Sequence, residues 1–179
     1  MQRTLNAETT KYLEKQVKVC GWVNTRRDHG KIVFIDLRDR TGLLQVVCQP
    51  ALVEGIKEEY VLEIMGLIKK RPANTVNKDM VTGEVELQAQ QIKILAKAAS
   101  LPFDCMGKDL NLTLPTLLDN RPLTIRNPEI KNIFKVGESI VESFRKTLKS
   151  LDFTEFQSPN IVPVVAEGGA DVFHLDYYK

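Results

Sequence analysis

Phe34, Gln45 and the basic residues Arg26, Arg27 and Lys31 are the side chains here best suited to meeting an unpaired nucleic-acid base. They fall within GWVNTRRDHGKIVFIDLRDRTGLLQVV, residues 21–47. If residues 31–38 form a strand, alternation sends Val33, Ile35 and Leu37 to one face and Phe34, Asp36 and Arg38 to the other. An aromatic ring between polar neighbours on the wet side of a sheet is a platform on which a base stacks. The next run, residues 43–47, turns Leu44 and Val46 inward and Gln45 outward beside Phe34. There the Gln45 amide offers a base edge both a donor and an acceptor. Arg26, Arg27 and Lys31 flank this surface, where they suit phosphates. The competing reading makes Phe34 a small-core aromatic capped by a loop and the arginines a solvated face.

The elements that must position these residues are legible in outline. Residues 17–23 alternate apolar side chains with Lys18, Cys20 and Trp22, which predicts a first strand. Asp28-His29-Gly30 and Arg40-Thr41-Gly42 read as the turns into the second and third strands. Residues 51–59 are a short helical candidate. Residues 60–70 are a fourth strand with a bulge or bend at Gly66, 71–83 a polar loop and 84–95 a fifth strand. Five strands with a short helix between the third and fourth is the layout of an OB-fold barrel. Trp22, the only tryptophan, reads as a structural anchor rather than a stacking residue.

A hinge is predicted over residues 98–126, which contain Pro102, Pro115 and Pro122 and little periodicity. Asn127-Pro128-Glu129 predicts a helix start, with an Asn cap, Pro in the first turn and an acid near the positive end of the dipole. Ile133, Val136, Ile140, Phe144, Leu148 and Leu151 then recur at helical spacing. Residues 153–157 read as a strand stopped by Pro159, and the chain runs on through EGGADVF (167–173). The expected fold is therefore mainly β: an OB-fold barrel over residues 1–97, a hinge over 98–126, and a truncated α/β segment of helix plus strand over 127–179.

Composition narrows the function classes. With 43% hydrophobic and 27% charged residues, the 179-residue chain has the make-up of a soluble globular protein. A net charge of only +2 argues against a general nucleic-acid coat, so any such contact must be local. There is no secretory h-region at the N-terminus, and no stretch approaches the roughly 18 apolar residues of a membrane span. A cytoplasmic location and no membrane partner are expected. Cys20, Cys48 and Cys105 are odd in number and widely spaced, which supports neither a disulfide framework nor a zinc site. His174 has no recognisable catalytic partner, and Gly168-Gly169 lacks the surroundings of a phosphate-cradling loop.

These residues carry a family resemblance. The 21–47 block, FIDLRDRTGLLQVV in particular, resembles the anticodon-binding domain of the aspartyl-tRNA synthetases, and RPANTVNKDMVTGEVE (71–86) resembles their bacterial members. The helix, FTEFQSPNI (153–161) and AEGGADVF resemble the opening of a class II catalytic domain, with the strand ending in Pro159 matching motif 1, the dimer-interface motif. The EGGA stretch is more similar to the archaeal-like branch.

The resemblance implies an aspartate–tRNA ligase whose anticodon-binding residues are Arg27, His29, Phe34, Gln45, Arg71 and Glu86. Phe34 would stack on the middle uridine, Gln45 would contact that base and Arg27 would position the loop. Arg71 and Glu86 would stand near the outer bases. Glu167 would hold the ammonium of the bound aspartate, or else be a loop carboxylate beside a Gly-Gly turn. A histidine at position 29 is similar to members that also charge asparagine tRNA, or simply suits the tight turn before Gly30. ATP and Mg²⁺ would serve the intact enzyme, a homodimer that binds tRNA and aspartate, whereas none is expected for this piece. Motifs 2 and 3 would lie beyond Lys179, so the chain alone is not expected to aminoacylate. An asparaginyl or lysyl relative and a stand-alone OB-fold nucleic-acid-binding protein are the alternatives.

Overall fold

The computed structural model describes residues 1–107 and 110–159. It divides into two units, Met1–Asp119 and Asn120–Lys179.

The first unit is built on five strands: β1 (Gln16–Asp28), β2 (Val33–Asp39), β3 (Gly42–Cys48), β4 (Val61–Lys70) and β5 (Val85–Ala96). They close into a barrel in the order β1-β2-β3-β5-β4. The β3–β5 pairing is parallel and the others are antiparallel. Closure gives every strand a partner on both sides, although β3 and β5 pair only at Val46–Leu87 and Val47–Gln88. Period-two alternation fills the interior. Val17, Val19 and Val23 of β1, Val33, Ile35 and Leu37 of β2, Leu44 and Val46 of β3, Leu62, Ile64 and Ile68 of β4, and Val85 and Leu87 of β5 are all buried. The expected irregularity at Gly66 is present as a register shift between the Met65–Gln91 and Gly66–Ala89 pairs. A Cβ at that position would run into the backbone carbonyl of Gln88, so only glycine lets β5 approach so closely.

A 3₁₀ helix over Asn6–Tyr12, which the sequence did not announce, plugs one end of the barrel. Its buried Asn6 donates from Nδ2 to the carbonyls of Leu37 (2.9 Å) and Gly42 (3.0 Å), and from its backbone to Asp39 Oδ2 (2.9 Å).

Three expectations need correcting. Residues 51–59 do not form a helix, and only Pro50–Leu52 make a 3₁₀ turn. Gly55 (φ 70°) and Glu59 (φ 61°) adopt left-handed backbone there, which no α-helix can continue through. Trp22 is no core anchor, because it stands 39% exposed on the outward side of β1. Residues 153–159 carry no regular structure, so the strand expected over 153–157 is absent. A strand is held by a ladder, and no described segment pairs with this one.

The stretch read as a hinge contains helix α1 (Leu114–Asp119), which belongs to the first unit, and α2 (Arg121–Thr124), which begins the second. Helix α3 (Pro128–Ser150) starts as expected. Asn127 Oδ1 accepts from the Glu129 amide (3.0 Å), and Pro128 occupies the first turn. Its apolar stripe, Ile133, Val136, Ile140 and Phe144, is exposed, each residue between 59% and 65%.

Candidate nucleic-acid interface

Directly opposed residues in a sheet share a face, so the register assembles the site. Arg27 lies opposite Phe34, which lies opposite Val47; Thr25 lies opposite Asp36, which lies opposite Gln45. Because Leu87 of β5 sits beside Val46 and is buried, its neighbours Glu86 and Gln88 turn outward next to Gln45 and Val47. Phe34, Gln45, Arg27 and Glu86 thus share one outward surface across β1, β2, β3 and β5, as expected for Phe34 and Gln45.

Hydrogen bonds organise this surface. Phe34 is half-buried, and the His29 ring meets it edge-on, with centroids 5.4 Å apart and planes at 85°. That is the geometry aromatic quadrupoles prefer. His29 is brought there by the β1–β2 turn, where Asp28 Oδ1 accepts from the Gly30 amide (3.0 Å) and Gly30 takes a positive φ of 75°. Arg27 is not a loose surface cation. Its Nη2 donates to Asp36 Oδ1 and its Nη1 meets Asp36 Oδ2, both at 2.9 Å, a two-pronged pair that fixes the guanidinium. Gln45 Nε2 donates to Glu86 Oε2 (3.2 Å), which orients the amide.

Arg71 departs most from expectation, because it is 4% exposed rather than open to solvent. Nε donates to the Val85 carbonyl (3.1 Å) and Nη1 to that of Thr75 (3.4 Å), tying down both ends of the β4–β5 loop. Nη2 is buried with no hydrogen-bond partner among the described residues. Burial lowers the Arg71 pKa from the ordinary arginine value; Glu86 and Asp36 oppose the shift and Arg27 adds to it. The same interactions put Arg71 within electrostatic reach of the outward surface.

Arg26 does not flank that surface. It pairs with the inward Ile35 and so lies on the other side of β1 from Arg27. Its Nη2 meets Asp28 (3.3 Å), and it lines a cavity of about 530 Å³ with Ile56, Lys57 and Phe103. Lys31 is exposed in the turn. Glu167 and His174 lie outside the described residues. Asp36, which sequence reasoning passed over, orients the Arg27 guanidinium. The alternation that turned Asp36 to the same face as Phe34 was the available signal, but its pairing with Arg27 needed the β1–β2 register. Among the described residues, no cluster of His, Cys, Asp and Glu could hold a metal ion, and no helix is long and apolar enough to cross a membrane.

Comparison with known proteins agrees with this geometry. Residues 17–95 match the profile of the OB-fold nucleic acid binding domain, and residues 113–179 that of the class II tRNA synthetases (D, K and N). Among solved structures, the chain is similar to asparaginyl-tRNA synthetase from Pyrococcus horikoshii complexed with asparaginyl-adenylate (26% identity, TM-score 0.73, 94% of this chain and 38% of that one). It shares its fold with aspartyl-tRNA synthetase from Entamoeba histolytica (21% identity, TM-score 0.76, 90% of this chain and 40% of that one). It is also similar to the asparaginyl-tRNA synthetase of that organism (25% identity, TM-score 0.67, 92% and 39%). The chain thus spans about two fifths of the length of these relatives, 38% to 40%. The barrel is similar to the OB-fold nucleic acid binding domains, and the segment that follows it to the class II tRNA synthetases (D, K and N).

Proposed function

We propose that the outward face of the barrel reads the anticodon loop of aspartate tRNA, as the RNA-reading part of an aspartate–tRNA ligase. The observation that carries this is the half-buried Phe34 ring set among fixed polar partners, Arg27 on Asp36 and Gln45 on Glu86. The middle uridine stacks on Phe34 and meets Gln45 at its edge. Arg27 positions the loop against a phosphate, while Arg71 and Glu86 serve the outer bases. Arg71 lies buried behind this face, where its charge acts on Glu86.

Aspartate and asparagine anticodons share the middle uridine, so Phe34 and Gln45 cannot separate them. His29, which touches the Phe34 ring, suits relaxed choice between the two tRNAs. In the longer enzyme, a homodimer, Glu167 would hold the ammonium of aspartate, and ATP with Mg²⁺ would supply the activated acyl group. None of the described residues forms that centre. The asparaginyl reading keeps a foothold in the 26% identity to the Pyrococcus horikoshii enzyme.

The test is binding of anticodon stem-loops to this chain. Phe34→Ala should weaken an aspartate stem-loop by about 1–3 kcal/mol while the barrel melts as before. Loss of the fold would instead make Phe34 a core residue. Stem-loops with aspartate and asparagine anticodons should bind alike, and His29→Leu should weaken the asparagine one more. Tight binding of the asparagine stem-loop alone would favour the asparaginyl reading.

A further inference from the structure

Trp22 is the chain's only tryptophan. Within the five strands, the other large apolar side chains left exposed are Ile94 and Leu95, near the end of β5. The register ties Trp22 to the interface. Phe34, Asp36 and Arg38 follow one another outward along β2, and Arg27, Thr25 and Trp22 stand opposite them on β1. Four steps along the strand separate Phe34 from Arg38, about 13 Å. Arg38 is held by Asn24 Oδ1 and Glu59 Oε1, each at 2.7 Å, and its side chain is 17% exposed. Its charge is therefore matched and its position fixed beside the indole. At that end of the face the indole is an open aromatic group. An OB-fold engages roughly 4–16 nucleotides, more than the three anticodon bases assigned to Phe34, Gln45, Arg71 and Glu86.

We propose that Trp22 is a second stacking platform, taking another base of the same RNA whose central base lies on Phe34. This rests on the anticodon reading, and it names where a nucleotide beyond those three goes. The strand of RNA crosses the outward face along β2, over the Arg27–Asp36 pair, and ends its contact on the indole.

Because Trp22 is the only tryptophan, its emission reports on its own surroundings. The 179-residue chain is titrated with an unlabelled RNA stem-loop carrying an aspartate anticodon, and binding is followed separately by native gel shift. The expected results are emission quenched in step with the gel shift and an affinity at least about fivefold weaker in Trp22→Ala. Trp22→Phe, which keeps a ring, should stay within about twofold of the parent. Trp22→Leu keeps apolar bulk without a ring and should fall with Trp22→Ala, which guards against a variant that fails to fold. In Phe34→Ala the quench at saturating RNA should persist, because a different base causes it. RNA binding on the gel with unchanged emission and parental affinity in Trp22→Ala would overturn the proposal and leave the anticodon reading standing. Emission already blue-shifted without RNA and unmoved by it would also overturn it, showing the indole covered by protein. A parent chain that binds no RNA on the gel would sink the anticodon reading itself.

Discussion

The outward face of the barrel and the apolar face of α3 both show aromatic rings to water, but their surroundings differ. Phe34 is half-buried, with His29 at its edge and with neighbouring polar groups already paired, Arg27 to Asp36 and Gln45 to Glu86. On α3, Phe144 and its stripe-mates Ile133, Val136 and Ile140 are about equally open, and they recur at helical spacing. The first arrangement leaves one flat apolar surface framed by oriented donors and acceptors, which is what recognition of a base requires. The second has the composition of a core face, apolar over several turns and without polar groups to orient anything. An exposed ring thus points to a ligand only when its neighbours are fixed and polar. The barrel also closes its own hydrogen bonds and core, whereas a lone helix in water gains little beyond its caps.

The largest expected effect tests whether the barrel is self-sufficient. Ile64→Ala should cost about 2–5 kcal/mol of barrel stability in urea unfolding, because Ile64 is fully buried. Phe144→Ala should move the same transition by less than about 0.5 kcal/mol. Similar losses in both would mean that the two regions share a core. A smaller effect should appear on the other side of the comparison. Asn127→Ala removes the cap of α3 and should weaken that helix by about 1 kcal/mol. The readout is helicity at 222 nm, with an unchanged barrel transition.

A pH series sharpens the account of the barrel interior. Burial pushes the Cys48 thiol up to about 12, with Arg26 opposing the shift. The folded state thus keeps its proton where the unfolded chain releases it. The contribution is complete below the ordinary value of 9.0 and is lost as pH rises from there to about 12. At pH 10 the parent should have lost about 1 kcal/mol more than Cys48→Ala. Parallel pH profiles for the two would sink this. The smallest effect concerns the paired charges of the outward face. Arg27→Ala should lower the slope of log affinity against log salt by about one, with an intrinsic stability change under about 1 kcal/mol. An unchanged slope would mean that Arg27 meets no phosphate and serves only to hold Asp36.

Local pattern was enough for much of this. Alternation in VFIDLRD and GLLQVVC put Phe34 and Gln45 on the outward face, and Asn127-Pro128-Glu129 marked the start of α3. It failed where distant partners decide. Residues 51–59 contain enough helix formers, yet left-handed backbone at Gly55 and Glu59 lets Val53, Ile56 and Tyr60 drop into the barrel core instead. Arg26 and Arg27 were set together because the first strand was expected to end at residue 23, whereas β1 runs on to Asp28 and its alternation sends them to opposite sides.

The sequence alone determined the five-strand order of elements, the inward and outward sets on β2 and β3, and the capped amphipathic helix. Each of these depends on residues within a few positions of one another and on backbone periods of 2 and 3.6. Only the tertiary structure decided that Asp36 holds Arg27, that Glu86 holds Gln45, and that Arg71 is buried beneath the surface it was expected to line. It also decided that Trp22 stays open on the same face as Phe34. These outcomes depend on which strands become neighbours when the barrel closes, and on a bulge at Asn24 that shifts the β1–β2 pairing. A register is a property of two segments at once, so no reading of either one alone contains it.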